Sequence, residues 1–413
     1  MNGASGREGG LRGRADRADA PFCIGLDNPA AFADLPRGAR VGLLTNAAAT
    51  NARLVPAVDV LFRSGRLRAL FGPEHGIRGD AQAGESVDSA VDSRTGLPVY
   101  SLYGEHRAPT PEQLSGLDVM VADLPDVGSR YYTYLSTLSH VMESCAEARL
   151  PLIVLDRPNP LCGTVVEGSV LRPEYASFVG RHPVAARHGL TVGEYARFVN
   201  ATAGIGCDLR VVPVVGWERG YYFDELPLHW VMPSPNLPTI TSALLYVGTC
   251  LFEGTNVSEG RGTTRPFELI GAPWIDPDRV LASVDPDAIT GALLRECRFR
   301  PVASKHAGEL CAGFQVHVED RTRVRPYRLA VALLDAIRRT CGEFRFLPPP
   351  TGRGRHFIDL LAGDDALRDP GFDLSAYLDR CDREASGFAA SRREALLYPE
   401  ERAEPPDAST TTP

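Results

Sequence analysis

Apolar and polar positions fall into blocks of two lengths along the first half of the chain. Short, nearly unbroken apolar runs occur at RVGLLTN (40–46), LRALFG (67–72), LPVYSLYG (97–104), LDVMVADLP (117–125) and LPLIVLDRP (150–158). Runs of this length, bounded by Gly, Pro or polar clusters, predict buried strands. Between the last two lies TYLSTLSHVMESCAEARL (133–150), where Tyr134, Leu138, Val141, Met142 and Cys145 recur at helical spacing. Strand, helix and strand in succession make a βαβ unit. Strands that are apolar on both faces imply a parallel sheet covered on both sides by helices. The pattern therefore predicts an α/β protein whose N-terminal domain is Rossmann-like, with a mostly parallel sheet.

The second half is less regular. DLRVVPVVGW (208–217) and GFQVHVED (313–320) alternate like strands, and PSPNLPT (233–239) reads as an extended connector because of its prolines. TSALLYVGTCLFEG (241–254) reads as a buried helix plus a turn, and GTNVSEGRGTT (254–264) as a Gly-rich polar loop. RPYRLAVALLDAIRRT (325–340) places Leu329, Leu333, Leu334 and Ile337 on one helical face. Residues 372–398 suggest two short helices. The expected division is a Rossmann-like domain over 21–238 and a smaller C-terminal α/β domain over 239–400. Segments 1–20 and 401–413 are expected to lack fixed structure.

Composition narrows the function. Lys+Arg number 44 against 52 Asp+Glu, a net charge of -8, so a general nucleic-acid partner is not expected. Lys305 is the single lysine, in line with the Arg bias of a GC-rich genome, and no phosphate-binding GxxxxGK[ST] surrounds it. The first strand runs into AAATNARL rather than GxGxxG, so dinucleotide binding is not expected. Nine cysteines without a CxxC pair argue against a disulfide framework or a structural zinc site. No HExxH or GxSxG occurs, and neither a metal nor an organic cofactor is expected. The first 20 residues carry no apolar core of a signal peptide and no run reaches 18 apolar residues, so the expected location is cytoplasmic, away from membranes.

In open parallel sheets the ligand site lies beyond the carboxyl ends of the strands. Those ends carry Asn46, then GPEHG (72–76) with Glu74 and His75, then DVGSRYYTY (126–134) with Arg130 and Tyr131, then DRPNP (156–160) with Arg157 and Asn159. A carboxyl group in a partly dry pocket is suited to general acid work, and an arginine there either pairs with a local aspartate or holds a substrate carboxylate. The loop FEGTNVSEGRGTT (252–264) adds Glu253, Asn256, Glu259 and Arg261.

At these segments the chain resembles the bacterial NamZ-like exo-β-N-acetylmuramidases. The stretches that carry the resemblance are LFGPEHGIRGDAQAGESVDS, TGLPVYSLYG, DVGSRYYTYLSTL, LDRPNPLCG, PSPNLPT, GTCLFEGTNVSEGRGTTRPFELIGAPW and ELCAGFQVHVED, running from about residue 40 to 320. The resemblance implies two domains with the active-site cleft between them, no cofactor, and removal of N-acetylmuramic acid from the non-reducing end of peptidoglycan fragments. It implies Glu74 as general acid and Glu259 as the second carboxylate, with Glu167 behind it, or an acetamido nucleophile from the substrate that the second carboxylate orients. Arg157, Arg130 and Arg261 are then candidates for the lactyl carboxylate. Asn159, Asn236 and Asn256 would read hydroxyls and the acetamide, with Tyr131 and His75 lining the sugar. Family members are often exported, which this sequence does not suggest. Rival readings are a non-catalytic sugar-binding or sensor protein, separated by tight muropeptide binding without turnover, and a metal-dependent hydrolase, separated by loss of activity in chelator.

Overall fold

The computed structural model describes residues 22–78, 90–104, 106–349 and 354–400. The terminal segments expected to lack structure, and part of the stretch that follows GPEHG, lie outside those residues. Along the chain come β1 (Val41–Thr45), β2 (Leu67–Gly72), β3 (Ala90–Val91), β4 (Pro98–Ser101), β5 (Val119–Asp123) and β6 (Leu152–Leu155). A side ribbon of β7 (Glu167–Val170) and β8 (Ala185–Arg187) follows, and then β9 (Leu209–Val212). The main sheet has the order β3-β4-β2-β1-β5-β6-β9. Every pairing in it is parallel except the edge pair β3–β4. The α/β, mainly parallel architecture read from the sequence is thus the one observed.

The reason lies in how the strands are buried. Leu43 faces one apolar cluster with Leu70, Val121 and Ile153, while its neighbour Leu44 faces another with Met120, Ala122 and Val154. Both faces of β1 are dry, which a parallel sheet with helices on both sides requires. β1 lies at the point where the strand order reverses, with β2 on one side and β5 on the other. The crevice beyond its carboxyl end is where such sheets take ligands.

The second part begins with the helix Ile240–Thr249, capped by Thr239 and Ser242. A short turn, Cys250–Gly254, follows, as the apolar run 241–254 suggested. Gly248 lets this helix press against the helix Pro326–Thr340, since a Cβ there would stand 1.9 Å from the Pro326 carbonyl oxygen. β10 (Leu269–Ala272), β11 (Ala292–Phe299) and β12 (Cys311–Val318) form an antiparallel sheet in the order β10-β12-β11. One continuous apolar core joins this part to the first sheet through Tyr131, Tyr246, Phe267 and Tyr327.

Two expectations need revision. Residues 372–398 form one long helix, Leu374–Ser391, and a single further turn, Arg392–Ala395. Tyr377, Leu378, Cys381, Ala385 and Phe388 keep one buried face throughout, and Gly387 alone does not break it. DLRVVPVVGW is a strand only over Leu209–Val212, because Pro213 ends the ladder. Past the helix the chain returns to the first sheet, where Tyr398 donates its hydroxyl to Asp156 at 2.7 Å.

Candidate active site

β2 ends at Gly72, and the next residues turn sharply. His75 (φ 72°) and Gly76 (φ 69°) are both left-handed, and the Gly76 N–H closes the turn on Pro73. A histidine pays for that conformation in strain, which the surrounding packing sustains. The turn carries Glu74 to the start of the helix Tyr134–Ala148. Thr133, the residue before that helix, donates its Oγ1 to Glu74 Oε2 at 2.9 Å. The Tyr134 hydroxyl stands 3.2 Å from the Glu74 carbonyl and accepts from Asn46 Nδ2 at 2.7 Å. A helix N-terminus favours a carboxylate beside it. Tyr103, past the end of β4, also hydrogen-bonds Glu74; burial first, and then the Glu74 charge, push its hydroxyl up to about 12.

Glu74 opens onto a cleft of about 1280 Å³. Its near wall comes from the first sheet's loops: Tyr103, Arg107, Tyr131, Thr133 and Phe178. Its far wall comes from the second part: Tyr246, Glu253, Arg261, Phe299, Arg300 and Phe357. Asn236 of the connector sits between them. The rings of Tyr131, Tyr246 and Phe267 run edge to face beneath, at 6.1 and 4.8 Å, and the Arg261 guanidinium lies 5.1 Å over Phe267. A smaller hollow beside the cleft is shared by Glu74, His75, Tyr131 and Arg261.

The far wall is organised by charge. The turn after the helix Ile240–Thr249 presents Glu253. The chain then doubles back through Gly260 and Gly262, both left-handed, to bring Arg261 against it, with Nη2 2.8 Å from Glu253 Oε1. Burial holds the Glu253 carboxyl above its ordinary range, against the pull of Arg261. Behind Arg261 lies Glu259, 1% exposed, with Oε1 3.4 Å from Arg261 Nε and Oε2 2.7 Å from Lys305 Nζ.

The sequence-derived candidates divide accordingly. Glu74, Tyr131, Asn236 and Arg261 line the cleft, and His75 lines the adjoining hollow. Glu259 stands behind the wall rather than on it. Glu167 is elsewhere: its Oε1 accepts the Tyr327 and Arg328 N–H groups at 2.8 and 3.1 Å, capping the helix Pro326–Thr340. Arg130 is 2% exposed and donates to the carbonyls of Ser169, Val184 and Leu361. Arg157 is locked in a two-pronged pair with Asp123 at 2.5 and 2.8 Å. Asn159 bridges Leu161 N–H and the Leu190 carbonyl, and Asn256 bridges Arg345 N–H and the Glu343 carbonyl. None of these five lines the cleft, and the hydrogen bonds named tie each of them to backbone or to a carboxylate.

Glu253 shares its loop with Glu259, and of the two it is Glu253 that lines the cleft. Tyr103 and Arg107 follow the strand at 98–101, so the same strand-tip rule pointed at them. Phe178, with Arg107 stacked 4.6 Å over its ring, gave no signal in the sequence. Among the described residues, no three His, Cys, Asp or Glu side chains stand together as a metal-ligand set, and no helix is long and apolar enough to cross a membrane.

Residues 41–241 match the model of the N-terminal part of exo-β-N-acetylmuramidase NamZ, and residues 244–398 match that of its C-terminal part. The chain belongs to the NamZ exo-β-N-acetylmuramidase family. It is similar to the peptidoglycan β-N-acetylmuramidase NamZ of Bacillus subtilis (strain 168), with 43% identity over 368 residues, covering 88% of this chain and 87% of that one. Two crystal structures of DUF1343 family proteins from Bacteroides fragilis NCTC 9343 share the fold. One has TM-score 0.82 at 31% identity and the other 0.71 at 28%. Each alignment covers 92% of this chain, and 99% and 100% of the respective neighbour. The two family models thus account for both halves of the chain.

Proposed function

We propose that the cleft is the active site of an exo-acting glycoside hydrolase that releases N-acetylmuramic acid from the non-reducing end of peptidoglycan fragments. The observation that carries this reading is the pair of carboxylates, Glu74 and Glu253, that reach one cleft from opposite walls. Glycoside cleavage needs such a pair, one to protonate the leaving oxygen and one to act as an anion on the other side of the sugar. Glu74 is the general acid. Glu253 is the second carboxylate, its charge favoured by Arg261 against the effect of burial, and it steadies either the attacking water or the substrate's own acetamide. Glu259, the sequence candidate for that role, supports it from behind.

The cleft is roomier than the roughly 300–1,000 Å³ of an ordinary small-molecule pocket, which suits an oligomeric substrate. Tyr131 backs the sugar, and Asn236 reads its hydroxyls or acetamide. Arg261 is already engaged by two carboxylates. The lactyl carboxylate therefore falls to Arg107, which has no carboxylate partner among the described residues. The proposed location is the cytoplasm, acting on recovered wall fragments, where nine unpaired cysteines would stay reduced.

The test is incubation with a muramic-acid-terminated peptidoglycan disaccharide. Release of free N-acetylmuramic acid from that end alone is expected. Binding without release, or cleavage only at internal bonds, would defeat the reading.

A further inference from the structure

Of the 44 basic residues only one is a lysine, and it lies behind the cleft. Lys305 Nζ donates to the carbonyls of Phe252, Thr255 and Val257 at 2.7, 3.0 and 2.7 Å. Phe252 immediately precedes Glu253, so the ammonium fastens the turn that presents that carboxylate. Nζ also stands 2.7 Å from Glu259 Oε2. The ammonium's three N–H groups are directed at the three carbonyls. Glu259 Oε2 is accordingly met by charge rather than by a directed hydrogen bond.

The backbone is shaped to aim this side chain. Ser304 (φ 67°) and His306 (φ 56°) are left-handed on either side of Lys305, and the His306 ring is tied to the Asn256 carbonyl at 2.8 Å. A compact ammonium directs three donors from one nitrogen at carbonyls that converge on a point, whereas a planar guanidinium spreads its donors over three nitrogens. That fit explains why a chain using arginine at every other basic position keeps a lysine here.

From Lys305 the charges alternate toward the substrate: Lys305 to Glu259 at 2.7 Å, Glu259 to Arg261 at 3.4 Å, Arg261 to Glu253 at 2.8 Å. We propose that Lys305 is a positioning residue that acts through Glu259 and Arg261 to fix the place and the ionisation of Glu253 in the cleft. The proposal rests on the reading of Glu253 as the second, ionised carboxylate. The groups that bear on Glu253 are Arg261, Glu259, Lys305, Tyr246 and Cys250. Tyr246 and Cys250 are buried and stay neutral across the working pH range.

The signs follow. Removing the Lys305 charge leaves Glu259 less compensated, which disfavours a second anion at Glu253. Removing the Glu259 charge leaves a surplus cation, which favours that anion. The experiment is kcat/KM against pH for the full chain and for K305M, K305R, E259Q and E253Q, using an aryl β-N-acetylmuraminide, with a thermal melt of each variant. K305M is expected to move the acid limb to higher pH by about one unit, and E259Q to move it the other way. K305M and K305R are both expected to lose roughly tenfold to a hundredfold at neutral pH. A merely structural role would lower stability in both K305M and E259Q without shifting the limb in opposite directions.

An inactive wild type, or E253Q at full rate, would overturn the reading beneath the proposal. An active wild type whose limb stays in place in K305M, or K305R with wild-type rate and limb, would overturn the proposal alone. If K305M fails to fold, the direction of the E259Q limb decides by the same criterion.

Discussion

The two walls of the cleft hold their carboxylates by different means. Glu74 accepts from hydroxyls, those of Thr133 and Tyr103, beside the start of the helix Tyr134–Ala148. Glu253 is set by charge: Arg261 against it, Glu259 behind, Lys305 behind that. A hydroxyl can donate to a carboxylate or accept from a carboxylic acid, so these contacts serve a proton donor in either form. Burial raises the pKa of Glu253 and the cations of its chain oppose that rise, so changing any member of the chain alters its pKa. The first arrangement suits a proton donor, which must cycle, and the second suits an anion that persists through the reaction.

The comparison can be broken by substitution. The largest effect is expected for Glu74→Gln, which should lower turnover of a disaccharide by about 10²–10⁴. The loss should be much smaller on an aryl glycoside whose leaving group needs no proton. Equal losses on both substrates would take the acid role away from Glu74. Glu253→Gln should cut both substrates alike, because an anion beside the sugar is needed whatever departs. In the wild type, the acid limb that reports Glu253 should lie above the ordinary carboxylate range, since burial raises its pKa. Activity governed by that group is present above its pKa and lost as the pH falls through it.

Smaller effects sharpen the contrast. Thr133→Ala removes one hydrogen bond to Glu74 and should cost about 1.5 kcal/mol, roughly tenfold in rate, with the melting temperature nearly unchanged. Glu167→Ala should do the reverse. It uncaps the helix Pro326–Thr340 and should lower stability by about 1–2 kcal/mol in denaturant titration while kcat/KM stays near wild type. A large fall in kcat/KM there would return Glu167 to the catalytic set.

The sequence was most informative where burial is periodic. The dry strands β1, β2, β5 and β6 announced themselves because a parallel sheet covered on both faces needs unbroken apolar runs. Glu74 was legible for a related reason, since a Gly-flanked acid after such a strand has to lie at the ligand end of the sheet. β11 was hidden because its residues, ALLRECRF, pair on one side only and carry charges between the apolar positions. Arg130, Arg157 and Asn159 lie off the cleft because strand tips also need donors for their own carbonyls, and a side chain turned inward has the same spelling as one turned outward. Choosing Glu253 over Glu259 depended on which of two acids in one glycine-rich loop faces the cleft. Only the left-handed turns at Gly260 and Gly262, and a cation 46 residues beyond Glu259, decide that.

The acid is assigned to Glu74 on the near wall and the anion to Glu253 on the far wall. A crystal structure of the E74Q variant with a bound muramic-acid-terminated disaccharide tests this assignment most directly. The glycosidic oxygen is predicted to lie within hydrogen-bonding distance of the side chain at position 74, with Glu253 on the opposite side of the sugar ring. A disaccharide whose glycosidic oxygen meets Glu253 instead, or one bound outside the cleft, would contradict the assignment.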